Sequence, residues 1–415
     1  MTEIDTRSRE SFVLAPVSAE RPPPGPNLEL LARAQSLFGL LRKSAVVADE
    51  RRLIPRENME AVKDAGLMRC WAPKRYGGFQ ANLQTQIGIV AELSKACAST
   101  GWTASNMIAC SWCVSMFHEE TQDEVFGATP DAMICGVLTP GGSAKAVPGG
   151  YVIGGTWGVA SGCHFADWAE VTVPLPGAED RPANVGFVLV PMKELTIEDT
   201  WFTMGMRGTA SNSLIGEDIF VPERRILRLL DASGAMNPMK VSASANEPPY
   251  SLSFGSQAAL VQLGCPIGLA RAALDVALEQ IPKRAIAYTR YTVQAEAVAT
   301  QIALAEAATK IEASIALVVR AAQQADDAAE RGVVLDDRTL ARIRMDAAWA
   351  ARNMREAVDS LLVLCGSSSS ASRNFLQQIF RDMSTVTLHG LVQPSIMAEN
   401  YGRALLGLPP DVTFV

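Results

Sequence analysis

Three histidines, His118, His164 and His389, are the only imidazoles in this 415-residue sequence, so proton chemistry near neutral pH has few possible carriers. His118 precedes Glu119-Glu120 and reads as a surface residue at a helix end. His164 lies in Gly155-Thr156-Trp157-Gly158-Val159-Ala160-Ser161-Gly162-Cys163-His164-Phe165-Ala166-Asp167-Trp168, a run of small, hydroxyl and aromatic residues. A second such run is Thr200-Trp201-Phe202-Thr203-Met204-Gly205-Met206-Arg207-Gly208-Thr209-Ala210-Ser211-Asn212. By residue type alone, Trp157, Trp168 and Trp201 are core aromatics and Ser161 is a turn residue. The eight cysteines stand singly apart from Cys110-x-x-Cys113. With no second pair and no paired histidine, that spacing makes no zinc site, and both thiols read as buried in a helix.

The elements that must position these residues follow from patterning. Residues 1–26 end in Arg21-Pro22-Pro23-Pro24-Gly25-Pro26 and read as a disordered tail. Residues 27–131 are helical, with Leu28, Leu31, Ala34 and Leu37-Phe38 at three- and four-residue steps, a helix start at Pro55 and an end at Ala65-Gly66. Residues 132–245 are rich in Gly, Val, Trp, Thr and Pro. Tyr151-Val152-Ile153, Ala169–Val173 and Val185–Val190 read there as strands of a small sheet or barrel, with a linker at 230–250. Residues 246–415 are helical again, with long Ala-rich stretches at 297–329 and 336–364 that suit side-by-side packing in a bundle.

Net charge is −7 and there is no long basic run, which excludes a nucleic-acid footprint while leaving room for a few phosphate-binding arginines. No run of 18 apolar residues marks a membrane span, and the N-terminus lacks the order of a signal peptide, so a cytoplasmic protein is expected.

The two runs quoted above, with Asp218-Ile219-Phe220-Val221-Pro222-Glu223 after the second, resemble the central β domain of the acyl-CoA dehydrogenase superfamily. The form Trp-x-x-x-Ser-Gly-x-x-x-x-x-Trp is similar to its two-component flavin monooxygenase branch (group D), which includes phenol hydroxylases, a dibenzothiophene monooxygenase and amino-sugar nitrososynthases. The resemblance spans about residues 28–410. It implies a mostly α chain with a central β domain: an N-terminal helical domain, a middle β-barrel or sheet, and a C-terminal four-helix bundle.

It also implies a cofactor. Reduced flavin, FADH2 ahead of FMNH2, would come from a separate NAD(P)H:flavin reductase and meet O2 to form a C4a-hydroperoxide. The absence of a Gly-x-Gly-x-x-Gly fingerprint agrees with a separate reductase. Ser161 would accept from flavin N5–H, Trp157 would cover one ring face, and apolar walls would limit loss of peroxide. Arg207, Thr209 and Ser211 would touch the flavin or its phosphate arm. In this superfamily a neighbouring subunit also holds the phosphates, with an Arg and a Gln about eleven residues apart. Arg290 and Gln301 have that spacing, and Arg284 is a second candidate cation. Gly366, Ser368 and Ser369 resemble the turn that meets flavin across the boundary, which implies a homotetramer.

Dehydrogenases of the superfamily carry a catalytic Glu eight residues beyond the Asp of an Arg-Asp pair. Counting from Arg381-Asp382 reaches Gly390, and Glu399 lies nine residues further. Without the base there is no α-proton abstraction, which points to an oxygenase. His389 matches a histidine of the hydroxylase branch, where it would hold the distal peroxide oxygen or accept a substrate proton, and His164 is the next candidate. Cys110, Trp112 and Thr139 are further expected substrate contacts. Cys110 occupies a position that carries His in phenol hydroxylases, which argues against a small phenol and for an indole or polycyclic natural product, or for N-oxygenation of an amino sugar. The third reading is an acyl-CoA dehydrogenase with its base elsewhere.

Overall fold

The computed structural model describes residues 25–176, 184–229 and 247–409. Most of the proline-rich segment 1–26 and of the expected linker 230–250 lies outside the described residues. Six helices come first: α1 (Leu28–Ser36), α2 (Phe38–Arg51), α3 (Arg56–Asp64), α4 (Leu83–Ala96), α5 (Ala98–Val114) and α6 (Glu119–Phe126). The start and end signals at Pro55 and Ala65-Gly66 bracket α3. Asn27 begins α1 by accepting from the amides of Glu29 and Leu30, two donors that the helix itself leaves unpaired. In α5 every residue except Asn106 and Ala109 is buried, so this helix threads the core and its few accessible atoms acquire meaning.

The β unit is two packed four-stranded sheets. One orders β1 (Ile134–Val137), β4 (Trp168–Pro174), β5 (Val185–Pro191) and β8 (Ile226–Arg228), and the other orders β2 (Ser143–Val147), β3 (Gly150–Ala160), β7 (Asn212–Pro222) and β6 (Thr196–Glu198). The three expected strands lie in β3, β4 and β5. Ile153, Trp157, Val171, Val188 and Leu214 fill the space between the sheets. The β3–β7 register shifts between Trp157 and Ala160, where Val159 takes the left-handed conformation at φ 66°. A β-branched residue is strained there. The irregularity breaks the alternation of β3 and turns Ser161 away from the inter-sheet core.

The chain closes with α7 (Phe254–Gln262), α8 (Gly264–Gln280), α9 (Val298–Glu330), α10 (Asp337–Leu364), α11 (Phe375–Val386) and α12 (Pro394–Leu405). The two Ala-rich stretches form α9 and α10, which pack along each other. Asp326 of α9 ties this bundle to the N-terminal helices, since its carboxylate accepts from the Leu83 and Gln84 amides at the start of α4. The segment Phe254–Lys283 is long and apolar enough to cross a membrane, but 78% of its apolar window is buried inside the fold. It is a core helix pair whose hydropathy reflects all-round packing.

Candidate active site

A cavity of about 660 Å³ lies where α5, the β unit, α7 and the end of α11 meet. Trp102 and Asn106 line it from α5, Phe254 and Gln262 from α7, and Ser161, Thr209 and Ser211 from the turns that follow β3 and precede β7. Thr385, Val386 and Leu388 to Leu391 close another side, and Thr139 and Val159 are exposed at the margin.

Four hydroxyl and indole groups form a chain with one direction. The Thr209 hydroxyl donates to the Met206 carbonyl at 2.8 Å, so its oxygen is left to accept from Ser211 at 2.8 Å. Ser211 then accepts from Ser161 at 2.7 Å, and Ser161 accepts from the Trp102 indole N–H at 3.2 Å. An indole nitrogen can only donate, and a hydroxyl donates once. Ser161 therefore spends its proton on Ser211 and keeps one free lone pair for a donor in the cavity. All four residues are buried.

His389 stands next to this chain. Its ring meets that of Trp102 edge-on, with centroids 5.6 Å apart. Nδ1 accepts from the Leu391 amide at 3.3 Å, which puts the proton of the neutral ring on Nε2. Burial pushes its pKa down to about 4. The ring lines the cavity. The imidazole is therefore neutral through the physiological range and presents an N–H donor. A Cβ on the adjacent Gly390 would meet nothing within 4 Å, so this position opens on free space and carries no carboxylate. Glu399 is exposed on α12, away from the cavity.

The Arg381-Asp382 pair holds the Met204–Ala210 turn. Asp382 is buried and accepts from the Met206 amide at 2.5 Å, while Arg381 donates to the Met204 carbonyl at 2.6 Å and pairs with Asp49 of α2. Gly205 lies against α11 so closely that a Cβ there would sit 2.0 Å from the Arg381 carbonyl oxygen. Gly205→Ala is expected to force that turn off α11 and cost about 1–3 kcal/mol. Thermal denaturation checks this.

The remaining expected residues separate into groups. Thr139, Thr209, Ser211, Ser161 and His389 share the cavity. Trp157 does not: its ring is buried between the sheets and its indole N–H donates to the Thr172 carbonyl at 3.0 Å, so it covers no ligand face. Trp112 is likewise a core residue, donating to the Pro249 carbonyl and packing on Trp71 and Phe254 behind the cavity wall. Cys110 is on the same face of α5 as Trp102 and Asn106 but is not among the residues that line the cavity; its sulfur packs against Gly136 of β1, where a Cβ would come within 2.5 Å of it. His164 is exposed, bonded through Nε2 to the Asn212 amide, and is not among the residues that line this cavity. Arg207 donates to the Asp49 carbonyl and anchors the turn to α2, outside the cavity.

Trp157→Phe should therefore lower stability by about 1–2 kcal/mol through the lost indole hydrogen bond and the smaller ring between the sheets, the Thr172 carbonyl still accepting from the Gly141 amide. It should leave flavin affinity within about threefold. Denaturant melts and flavin titration check the two parts.

Arg284, Ser368 and Lys283 border a separate recess of about 420 Å³. Arg284 also donates to the Cys365 carbonyl, and Gly366, at φ 68°, leaves it room, since a Cβ would come 2.8 Å from the guanidinium. Ser369 spends its hydroxyl on the Leu362 and Gly366 carbonyls. Arg290 is exposed over Tyr291, and the exposed Gln301 donates to the Ala295 carbonyl, so neither reaches the cavity of its own chain.

Three lining residues carried no obvious sequence signal: Trp102, Asn106 and Gln262. For Trp102 and Asn106 the one available signal was helical spacing, because 102, 106 and 110 recur at four-residue steps on α5; Gln262 had none.

Known proteins share this fold. Family models for the N-terminal and C-terminal domains of acyl-CoA dehydrogenase match residues 40–127 and 260–394. An FADH2-dependent resorcinol hydroxylase, oxygenase component, from Rhizobium sp. (strain MTP-10005) is 32% identical over 93% of this chain and 96% of its own. The structure of XiaF from Streptomyces sp. in complex with FADH2 and glycerol superposes with a TM-score of 0.87 at 31% identity, covering 94% of this chain and 97% of the other. A 3-HSA hydroxylase from Rhodococcus sp. RHA1 gives a TM-score of 0.85 at 28% identity, covering 93% and 99%.

Proposed function

The chain belongs to the acyl-CoA dehydrogenase superfamily, in its branch of two-component flavin-dependent monooxygenases, and from that premise we propose that it hydroxylates an aromatic substrate with Ser161 and His389 as its working side chains. Its cosubstrates are reduced flavin and O2, and the flavin is supplied by a separate reductase. Bound reduced flavin would supply the two electrons that activate O2, one atom of which would go to the substrate and the other to water. The residues present fit that group. The cavity is within the range of about 300–1,000 Å³ usual for small-ligand sites, and the buried Ser161 oxygen has one lone pair left for an N–H donor.

Ser161 accepts the flavin N5–H and holds that proton in place. The relay behind it keeps its hydroxyl from rotating, because Ser211 and Thr209 leave one donor direction open. His389 offers Nε2–H to the oxygen at the reacting centre. With a pKa near 4 it is a poor base, so of the two roles expected for it, donating to an oxygen is favoured over accepting a substrate proton. Apolar walls from Phe254, Val137, Leu138 and Leu391 exclude water from the site. The recess around Arg284 and Ser368 is the candidate site for the phosphate arm. Arg290 and Gln301, directed away from their own cavity, serve a neighbouring copy in a homotetramer.

The observation that carries the oxygenase reading is Gly390, an empty position beside a neutral histidine. No Asp or Glu is among the described residues that line the cavity. An acyl-CoA dehydrogenase has no base there, and the ammonium group of an amino sugar has no counter-ion. Cys110, expected to disfavour small phenols, does not line the cavity, and the relative from Rhizobium is named for resorcinol, a small phenol. Chemically reduced FAD, labelled O2 and a panel of phenols, without any reductase, test the reading. One labelled atom in a hydroxylated ring is expected, and oxidation of an acyl-CoA with no labelled product would overturn it.

A further inference from the structure

Most polar groups in the cavity are already engaged. Ser161, Ser211 and Thr209 form the relay, Asn106 donates to the Trp102 carbonyl at 2.9 Å, and Nδ1 of His389 is held by the Leu391 amide. Gln262 is the exception. It is 7% exposed, lines the cavity from the last turn of α7, and its Oε1 is buried without a hydrogen-bond partner. Amide oxygen and nitrogen exchange places by a simple flip, so what faces the cavity is a carboxamide with one good acceptor and two donors. A buried amide left unpaired costs free energy that a ligand can recover. The described residues lining the cavity include no Asp, Glu, Lys or Arg, so a charged ligand finds no counter-ion and must shed its hydration without return.

Resting on the hydroxylase reading, we propose that Gln262 is a specificity-determining residue: its carboxamide hydrogen-bonds an uncharged polar substituent of the aromatic substrate, and the cavity selects against substrates bearing a carboxylate. A site that presents a fixed hydrogen-bonding group discriminates strongly against an analogue lacking the matching group. The substituent read by Gln262 is a second one on the ring, beside the hydroxyl that activates the carbon to be oxygenated, so resorcinol supplies both and phenol only one.

Equilibrium dialysis of resorcinol, phenol and 4-hydroxyphenylacetate, with and without reduced FAD under anaerobic conditions, tests this. In the wild type, resorcinol should bind ~10-fold or more tighter than either other ligand. In Gln262→Met, a change of similar volume, the gap between resorcinol and phenol should shrink to about threefold or less while phenol binding stays unchanged. Gln262→Glu, a second variant that keeps the shape, should weaken resorcinol binding less at low pH, where the acid is neutral and can donate. The proposal is overturned if the carboxylate binds as tightly as resorcinol, if the gap survives in Gln262→Met, if phenol and resorcinol weaken together, if none of the three binds, or if reduced FAD binding itself weakens in the variants. Tight, Gln262-dependent binding of resorcinol with no labelled oxygen in any product would leave this assignment standing and sink the hydroxylase reading instead.

Discussion

Replacing Ser161 with alanine is expected to leave the protein folded and to send most of the reducing equivalents to H2O2 in place of product. With its proton spent on Ser211 and one lone pair taken by the Trp102 indole, Ser161 keeps a second lone pair, the one proposed to accept the flavin N5–H, and the change removes that acceptor. Losing a hydrogen bond of this kind is worth about 1–3 kcal/mol, which shortens the useful lifetime of the oxygenated flavin roughly 10–100-fold. Ser211→Ala removes the partner that fixes the Ser161 hydroxyl and should produce a smaller rise in peroxide, since the acceptor itself remains. Peroxide formed per flavin oxidised, with and without substrate, measures both. Equal effects of the two changes, or none, would contradict a directed relay.

The second large effect is expected at His389. His389→Ala should lower the rate of product formation by about 10²–10⁴-fold, the span usual for a positioned proton donor. Because the ring donates while neutral, His389→Gln, which retains an N–H, should recover part of the rate. The pH dependence follows from the lowered pKa. The folded ring protonates near pH 4 and the unfolded ring near 6.5, so the wild-type oxygenation rate should show no inflection near 6.5. Stability has the matching sign. As pH falls below 6.5 the unfolded chain takes up a proton that the native ring refuses, and the contribution of neutral His389 is lost progressively down to pH 4. The Gln variant should lack that component of the acid destabilisation. A bell or step in the rate centred near 6.5 would assign His389 a protonated role.

The legible parts of the sequence were those whose meaning is local. The strands around Tyr151, Ala169 and Val185 and the long Ala-rich helices carry their periodicity in adjacent residues. Ser161, Thr209, Ser211 and His389 stand in runs whose order resembles a known branch, and they converge on the cavity. Direction was less legible. Trp157 is two residues before Val159, whose left-handed backbone at φ 66° breaks the strand alternation, so motif neighbours 157 and 161 face opposite ways. His164, three residues past Ser161, is exposed for the same reason, because the chain has already turned. Cys110 shares a helix face with Trp102, yet it packs against Gly136 of β1 and is not part of the cavity lining. Gln262 has no motif at all. Its position depends on α7 packing against α4, α5 and α10 across long sequence separations, and its unpartnered amide oxygen can be read only from the folded structure.

The central claim is that this cavity protects oxygen chemistry on a reduced flavin and contains no base for dehydrogenation. Rapid mixing of the anaerobic enzyme, loaded with chemically reduced FAD, against oxygenated buffer tests it most directly. The expected result is an oxygenated-flavin absorbance that long outlasts reoxidation of free reduced FAD and that, with a neutral phenol present, decays into hydroxylated product. Reoxidation at the rate of free flavin with no such transient, together with bleaching of bound oxidised FAD by an acyl-CoA, would contradict it.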